Sequence, residues 1–293
     1  MYYSIELIRL LSVILITFTH IRHNFSDGVM NIFLDQIPMY GTLILSVISG
    51  FLYAEVTSRK DGLLNKKVRS LLIPYLIANI VVIIPVLAAH YLGYDFLNRL
   101  SVDADLLWTG LFSISAAPVN PPTYFIRDLF IIFLLVEVVR SRNFYLFGGI
   151  IVLAFFGNLL LRYDILILFI IGIMLSRYKI IHQQYARPSV IVCLGLSLLF
   201  LYLDIPYDKH LIAILFFILV INWKVDFKDV GGYSYTLHLY HSPVVVVLFP
   251  VFSLYIGNEY LLVIAQLIAV FFCVSVIYLL IRKFNLKFAI GGR

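Results

Sequence analysis

The sequence predicts an all-α fold: a polytopic integral membrane helical bundle of about ten transmembrane helices. Three observations predict it. Hydrophobic residues make up 62% of the chain and charged residues 13%, where soluble domains carry roughly 25% charge. Mean hydropathy is +1.00, so a soluble fold of this composition would leave large apolar patches in water. A spanning helix needs roughly 20 mainly apolar residues, and the 293 residues divide into apolar runs of about that length with short connections. A single membrane-embedded domain over residues 1–293 is expected, with no room for a separate soluble one.

The first run, Ile5 to Arg22, starts with Glu6 and Arg9, and no small-residue cleavage site follows Ile16 to His20. It is therefore expected to stay as a membrane helix and not to be removed as a signal peptide. Pro38 to Glu55, Leu71 to Leu92 and Pro122 to Val139 form the next three runs, each bounded by charges or turn residues. Tyr145 to Leu161, Ile165 to Leu175, Ser189 to Leu203, Leu211 to Trp223, Tyr235 to Tyr255 and Tyr260 to Ile281 complete the set. The runs at Ile165 and Leu211 are short enough for one to be re-entrant, which sets a range of nine to eleven spans. The connection from Gly93 to Pro121 is the longest. It reads either as a functional loop around Pro118-Val119-Asn120-Pro121-Pro122 or as an interfacial segment, Leu106 to Phe112, anchored by Trp108.

Lys and Arg alternate from one connection to the next, as the positive-inside rule requires. The basic set holds Arg59, Lys60, Lys66, Lys67 and Arg69, then Arg140 and Arg142, then Arg177, Lys179 and Arg187, then Lys224 and Lys228, and finally Arg282, Lys283, Lys287 and Arg293. The opposite set is richer in acid, with Asp27, Asp35, Asp95, Asp103, Asp105, Asp204, Asp208 and Glu259. Both termini are therefore predicted to be cytoplasmic. Topology absorbs most of the formal net charge of +6, so that charge gives no reason to expect a nucleic-acid partner. The two cysteines, Cys193 and Cys273, lie in apolar stretches without CxxC spacing, and no metal site is expected.

Ionisable groups inside apolar runs are costly and mark candidate sites. Arg9 and His20 lie eleven residues apart, about 16 Å of helical rise and close to three whole turns, which would put both on one helix face. Acyl transfer to a hydroxyl needs a base of near-neutral pKa, a role suited to His20. An acyl-CoA donor carries phosphates that fixed cations would hold, and Arg9, Lys66, Lys67 and Arg69 lie on the predicted cytoplasmic side. Plainer readings stand beside these: Arg9 paired with Glu6 one turn earlier, and His20 at the water interface with Arg22, His23 and Asn24.

The order of short motifs resembles the acyltransferase-3 family of membrane-bound O-acyltransferases. Arg9 through His20 resembles its Arg-x10-His signature, and Ser49-Gly50-Phe51-Leu52 its small-residue motif in the second helix. Lys66-Lys67-Val68-Arg69 followed by Ile73-Pro74-Tyr75 is similar to the basic run and Ile-Pro-Tyr that open the third. Tyr124-Phe125-Ile126-Arg127-Asp128-Leu129 resembles the Trp-Phe-Leu-x-x-Leu motif, with Tyr124 in place of Trp. Ser234-Tyr235 through His241-Ser242-Pro243 is similar to Ser-Tyr-x-x-Tyr-Leu-x-His-x-Pro, with His238 in place of Tyr.

The resemblance implies an O-acyltransferase, acetylating a hydroxyl of an extracytoplasmic or lipid-linked polysaccharide or oligosaccharide from acetyl-CoA or a similar acyl-CoA. It implies a multi-pass protein of the inner or plasma membrane, with membrane lipid, the glycan acceptor and acyl-CoA as partners. His20 and Arg9 are then expected to be catalytic, and Arg9, Lys66, Lys67 and Arg69 to bind the donor. Arg127, Ser49, His241 and Tyr235 are expected to bind substrate. Some members carry a fused extracytoplasmic domain; its absence here implies direct transfer or a separate partner. Structural alternatives stay open: Gly50 as a helix contact, Pro74 as a helix start or kink, Arg127 in an ion pair with Asp128, and His241 bonded to a backbone carbonyl. A transporter or flippase of lipid-linked sugars, without acyl-transfer chemistry, is the rival reading.

Overall fold

A computed structural model describes residues 3–58, 61–93, 102–103, 106–179, 183–203, 207–223, 225, 227 and 229–292, with the side chains of residues 3 and 183–187 excepted. Arg59, Lys60, Asp95, Asp105, the Arg187 side chain, Asp204, Lys224, Lys228, Arg293 and much of the long connection after Gly93 lie outside the described residues.

Among the described residues every regular element is helical: α1 (Tyr3–Phe18), α2 (Gly28–Thr57), α3 (Leu63–Tyr91), α4 (Tyr124–Ser141), α5 (Phe144–Phe156), α6 (Tyr163–Arg177), α7 (Gln183–Tyr202), α8 (Asp208–Ile221), α9 (Gly231–Tyr255) and α10 (Glu259–Lys283). Four of them, α2, α3, α9 and α10, are long and apolar enough to cross a membrane; α5 and part of α7 are shorter apolar helices. On α10 the large side chains of Ile264, Ile268, Phe272 and Leu279 stay exposed. An apolar helix with so much of its surface outward is stable where that surface meets lipid. The chain is a helical membrane protein.

Several boundaries differ from the sequence expectation, each for a local reason. α1 stops at Phe18, and His20 and Ile21 bond back to Thr17 and Phe18 in a tighter three-residue turn. His20 thus stands two residues past the end of α1, in the turn that closes it. α2 begins ten residues before Pro38, taking Asp35 from the expected loop into the helix; Pro38 stands in the first turn of a short 3-10 stretch, where its missing N–H costs little. α3 begins at Leu63, so Lys66, Lys67 and Arg69 lie inside the helix and not in the connection before it. Just ahead of Pro74 the chain widens into a π-type turn over Val68–Leu72, with Ile73 N–H bonding Val68. That turn accommodates the proline and the helix continues through it. The Leu106–Leu111 segment is helical, with Trp108 exposed and its ring 6.1 Å from Phe112.

The chain forms two compact units. The first comprises Met1–Asp61 and Asp164–Tyr235, where α1 packs on α2 and α8, and α8 packs on α2 and α7. Small residues set the spacing. A Cβ at Gly41 would press on the Ser12 carbonyl of α1, one at Gly50 would overlap the Phe169 carbonyl of α6, and one at Gly172 would overlap the Val47 carbonyl of α2. Backbones meet directly at these points, the usual device for helix contacts in lipid. Phe51 and Phe217 fill the interior edge to face at 5.3 Å, and Ser4 donates to the Ile221 carbonyl at 3.0 Å, satisfying an orphan acceptor at the end of α8.

The second unit comprises Gly62–Tyr163 and Thr236–Arg293. α4 packs on α5 and on the start of α3, and a terminal 3-10 turn, Lys287–Ile290, packs on α3. Ile83, Leu106 and Val119 form a buried cluster that seats the helical turn and the proline-rich segment against α3.

Gly50→Leu would force α2 and α6 apart, at a cost of about 1–3 kcal/mol. We expect a clearly lower melting temperature in detergent, while Gly148→Ala, where a Cβ meets nothing within 4 Å, leaves it unchanged or slightly raised.

Candidate functional site

In the first unit, Arg9 points to Glu6 one turn back, with Nη1 to Oε1 at 2.6 Å in a half-buried pair. This is the pairing that the i, i+3 spacing allows. The carboxylate fixes the guanidinium on the α1 surface and leaves its other N–H groups to meet an anion. His20 sits half-buried in the turn that closes α1. Ser49 donates to the Leu45 carbonyl of its own helix at 2.7 Å, so its hydroxyl retains only acceptor capacity for a substrate. Tyr235 is buried near the start of α9.

In the second unit the basic run separates by helical phase. Lys66, Arg69, Ser70 and Ile73 follow the i, i+3, i+4, i+7 spacing of one face and line a cavity of about 600 Å³. Lys67 lies one residue, about 100°, away from Lys66; its Nζ sits 3.8 Å from the centre of the Phe133 ring on α4. The expected three-cation cluster is therefore two cations in a cavity and a third used to hold α4.

Arg127 and Asp128 are both buried. Arg127 donates through Nη1 to Asp128 at 2.8 Å and to the Leu159 carbonyl at 2.9 Å, and through Nη2 to the Asn158 carbonyl. Asp128 accepts from the amides of Leu161 at 3.2 Å and Arg162 at 2.9 Å. The pair thus clamps the loop between α5 and α6, which Asn158 also ties to Ile114 and Ser115. This is the ion-pair alternative raised above, extended to a whole loop.

A second polar network lay outside the sequence reading. Pro243 has no N–H for the Leu239 carbonyl four residues back on α9. Asn120 of the proline-rich segment supplies the donor, Nδ2 to Leu239 at 2.8 Å. Asn120 N–H in turn donates to Asn79 Oδ1 at 3.1 Å, and Asn79 Nδ2 to Thr123 Oγ1 at 3.0 Å and to the Tyr75 carbonyl at 2.8 Å. Because the Leu239 and Tyr75 carbonyls can only accept, both amide orientations are fixed. The available signal was a proline inside an apolar run and an asparagine, Asn79, in another.

His241 is buried on α9, its Nδ1 2.7 Å from the Leu237 carbonyl. A carbonyl only accepts, so Nδ1 carries the proton and Nε2 is the basic nitrogen of the neutral ring. This is the backbone-bonded alternative, and it also sets a single tautomer. The His238 ring lies 6.4 Å from it and packs edge-on against Phe125 at 5.8 Å.

Among known proteins the chain has one family-level match. A family model described as an acyltransferase domain matches residues 2–282, nearly the whole chain. No curated protein and no solved structure matches.

Asn120→Ala would leave the Leu239 carbonyl without a donor, at a cost of about 1–3 kcal/mol. In a Pro243→Ala background, where the helix can restore its own bond, the same change should cost much less; thermal unfolding of the four proteins of this cycle measures the coupling. Asp128→Ala, which strands the Arg127 charge, should be worse, at about 3–5 kcal/mol. That loss would be read as reduced folded yield in the same detergent.

Proposed function

The chain belongs to the acyltransferase-3 family, and from that premise we propose that this membrane-embedded acyltransferase is an O-acetyltransferase. In this reading it transfers an acetyl group from acetyl-CoA to a hydroxyl of an extracytoplasmic or lipid-linked polysaccharide or oligosaccharide. The observation that carries it is the extent of the family match, which runs through Arg9, His20, the basic start of α3 and the His241 segment in one continuous stretch. The whole chain is read as one acyltransferase domain of about ten spans in the inner or plasma membrane, with both termini cytoplasmic.

In the proposed reaction, a nitrogen of His20 takes the proton of the acceptor hydroxyl as its oxygen attacks the thioester carbonyl. The C–S bond then breaks, and coenzyme A leaves as a thiolate that is reprotonated. His20 stands in the turn that closes α1. Arg9, aligned by Glu6, and the cations Lys66 and Arg69 neutralise donor phosphates. Lys67 assists by keeping α4 against the start of α3. Ser49 offers a hydroxyl acceptor to the substrate, and Tyr235 and His241 are also assigned to substrate binding. Arg127, whose donors are engaged by the loop between α5 and α6, positions the acceptor through that loop. A separate extracytoplasmic partner would receive or complete the transfer where the final glycan lies beyond the membrane.

The test is label transfer from radiolabelled acetyl-CoA to cell-envelope glycan, in membranes holding the wild type or His20→Ala at matched protein levels. We expect His20→Ala to transfer about 10²- to 10⁴-fold less. Equal labelling would remove His20 as the base. If the wild type labels no glycan yet moves lipid-linked sugar across the membrane, the rival flippase reading replaces this one.

A further inference from the structure

The cavity beside the start of α3 has two walls. Lys66, Arg69, Ser70 and Ile73 make one; the other comes from the far end of the chain, with Phe288, Gly291 and Gly292. The terminal segment is docked firmly. Its 3-10 turn is followed by Gly291 with φ +71°, and Ala289 and Ile290 beside Phe288 are buried. Phe288 is 57% exposed although it lies next to these anchored neighbours, so its ring borders the cavity on a fixed backbone. A Cβ at Gly291 would come within 2.7 Å of the Ser70 carbonyl. That carbonyl belongs to the residue four positions before Pro74, which has no N–H to offer it. Close backbone approach at Gly291 therefore sets the width of the cavity.

The lining combines two cations one helical turn apart with an aromatic ring and an aliphatic side chain, in a volume typical of small-molecule sites. Two cations suit phosphates, and the Phe288 ring and the Ile73 side chain, which line the same cavity, offer apolar surface for a nucleobase. We propose that Phe288, held at fixed distance by Gly291, forms the adenine-recognising wall of the acyl-donor pocket, opposite Lys66 and Arg69. The proposal rests on the reading that the donor is an acyl-CoA. It assigns to the terminal segment a share in donor affinity, with no part in bond making.

The same lining could hold the phosphate of an anionic lipid, and the experiment separates the two sources. Full-length protein in phosphatidylcholine nanodiscs is titrated with radiolabelled coenzyme A. Phe288→Leu should weaken binding about tenfold, within the range of one base stacked on an aromatic ring. Phe288→Trp should retain it, and Gly291→Val should weaken it by moving the wall. Acetyl-pantetheine, which lacks the nucleotide, should serve as a donor equally well for wild type and Phe288→Leu.

Melting temperatures show that each variant is folded. If Phe288→Leu binds coenzyme A as tightly as the wild type while Arg69→Ala binds it weakly, the inference about the terminal segment is overturned and the donor reading stands. If the folded wild type binds no coenzyme A, both fall together. Loss of coenzyme A binding on replacing phosphatidylcholine by phosphatidylglycerol would make the cavity a lipid-headgroup site and overturn the adenine assignment.

Discussion

Lipid offers no hydrogen bonds, and the architecture depends on that constraint. In water, a proline in a helix merely exposes a carbonyl to solvent; in a membrane the same carbonyl must find a protein donor. Pro243 creates this demand on α9 and Asn120 answers it. Asn120 can do so only because Asn79 and Thr123 hold its segment in place. A single missing N–H thus ties α3, the proline-rich segment and α9 into one buried network. The ends of helices obey the same rule: Ser4 closes an acceptor at the end of α8, and Asn143 and Asn258 cap α5 and α10 with their side chains.

Charge is handled with the same economy. Buried ions are tolerated where geometry compensates their desolvation, and Arg127 with Asp128 meets that requirement by collecting two carbonyls and two amides from one loop. Arg9 is kept in a half-buried pair with Glu6, with donors to spare. Lys66 and Arg69 stay at the edge of a cavity, where a partner of opposite charge can reach them. Arg127 and Lys67 thus hold internal contacts, while Lys66 and Arg69 line a cavity.

Glycine plays the complementary part. Gly41, Gly50 and Gly172 let backbones touch in the first unit, and Gly291 does so at the terminal segment in the second. Ser49-Gly50-Phe51 illustrates how one short motif can hold distinct duties: a hydroxyl bonded to its own helix, a contact point with α6, and a ring at the centre of the core.

The amino-acid order by itself determined the helical membrane class, the approximate helix set and the family. Composition and the lengths of apolar runs respond directly to bilayer thickness, and the motif order is local. It also offered the contacts that the structure holds for Arg9 with Glu6, Arg127 with Asp128 and His241 with a backbone carbonyl, because each depends on spacing along one element. Tertiary structure decided what spacing cannot fix. Whether α1 reaches His20 depends on where the helix ends, and apolar run length does not show the tighter turn that closes it. Lys66 and Lys67 are adjacent in sequence and divided in space because a 100° step points one to a cavity and the other to Phe133. Phe288 and Arg69 come together from opposite parts of the chain, a proximity that only the packing of the terminal turn on α3 could create.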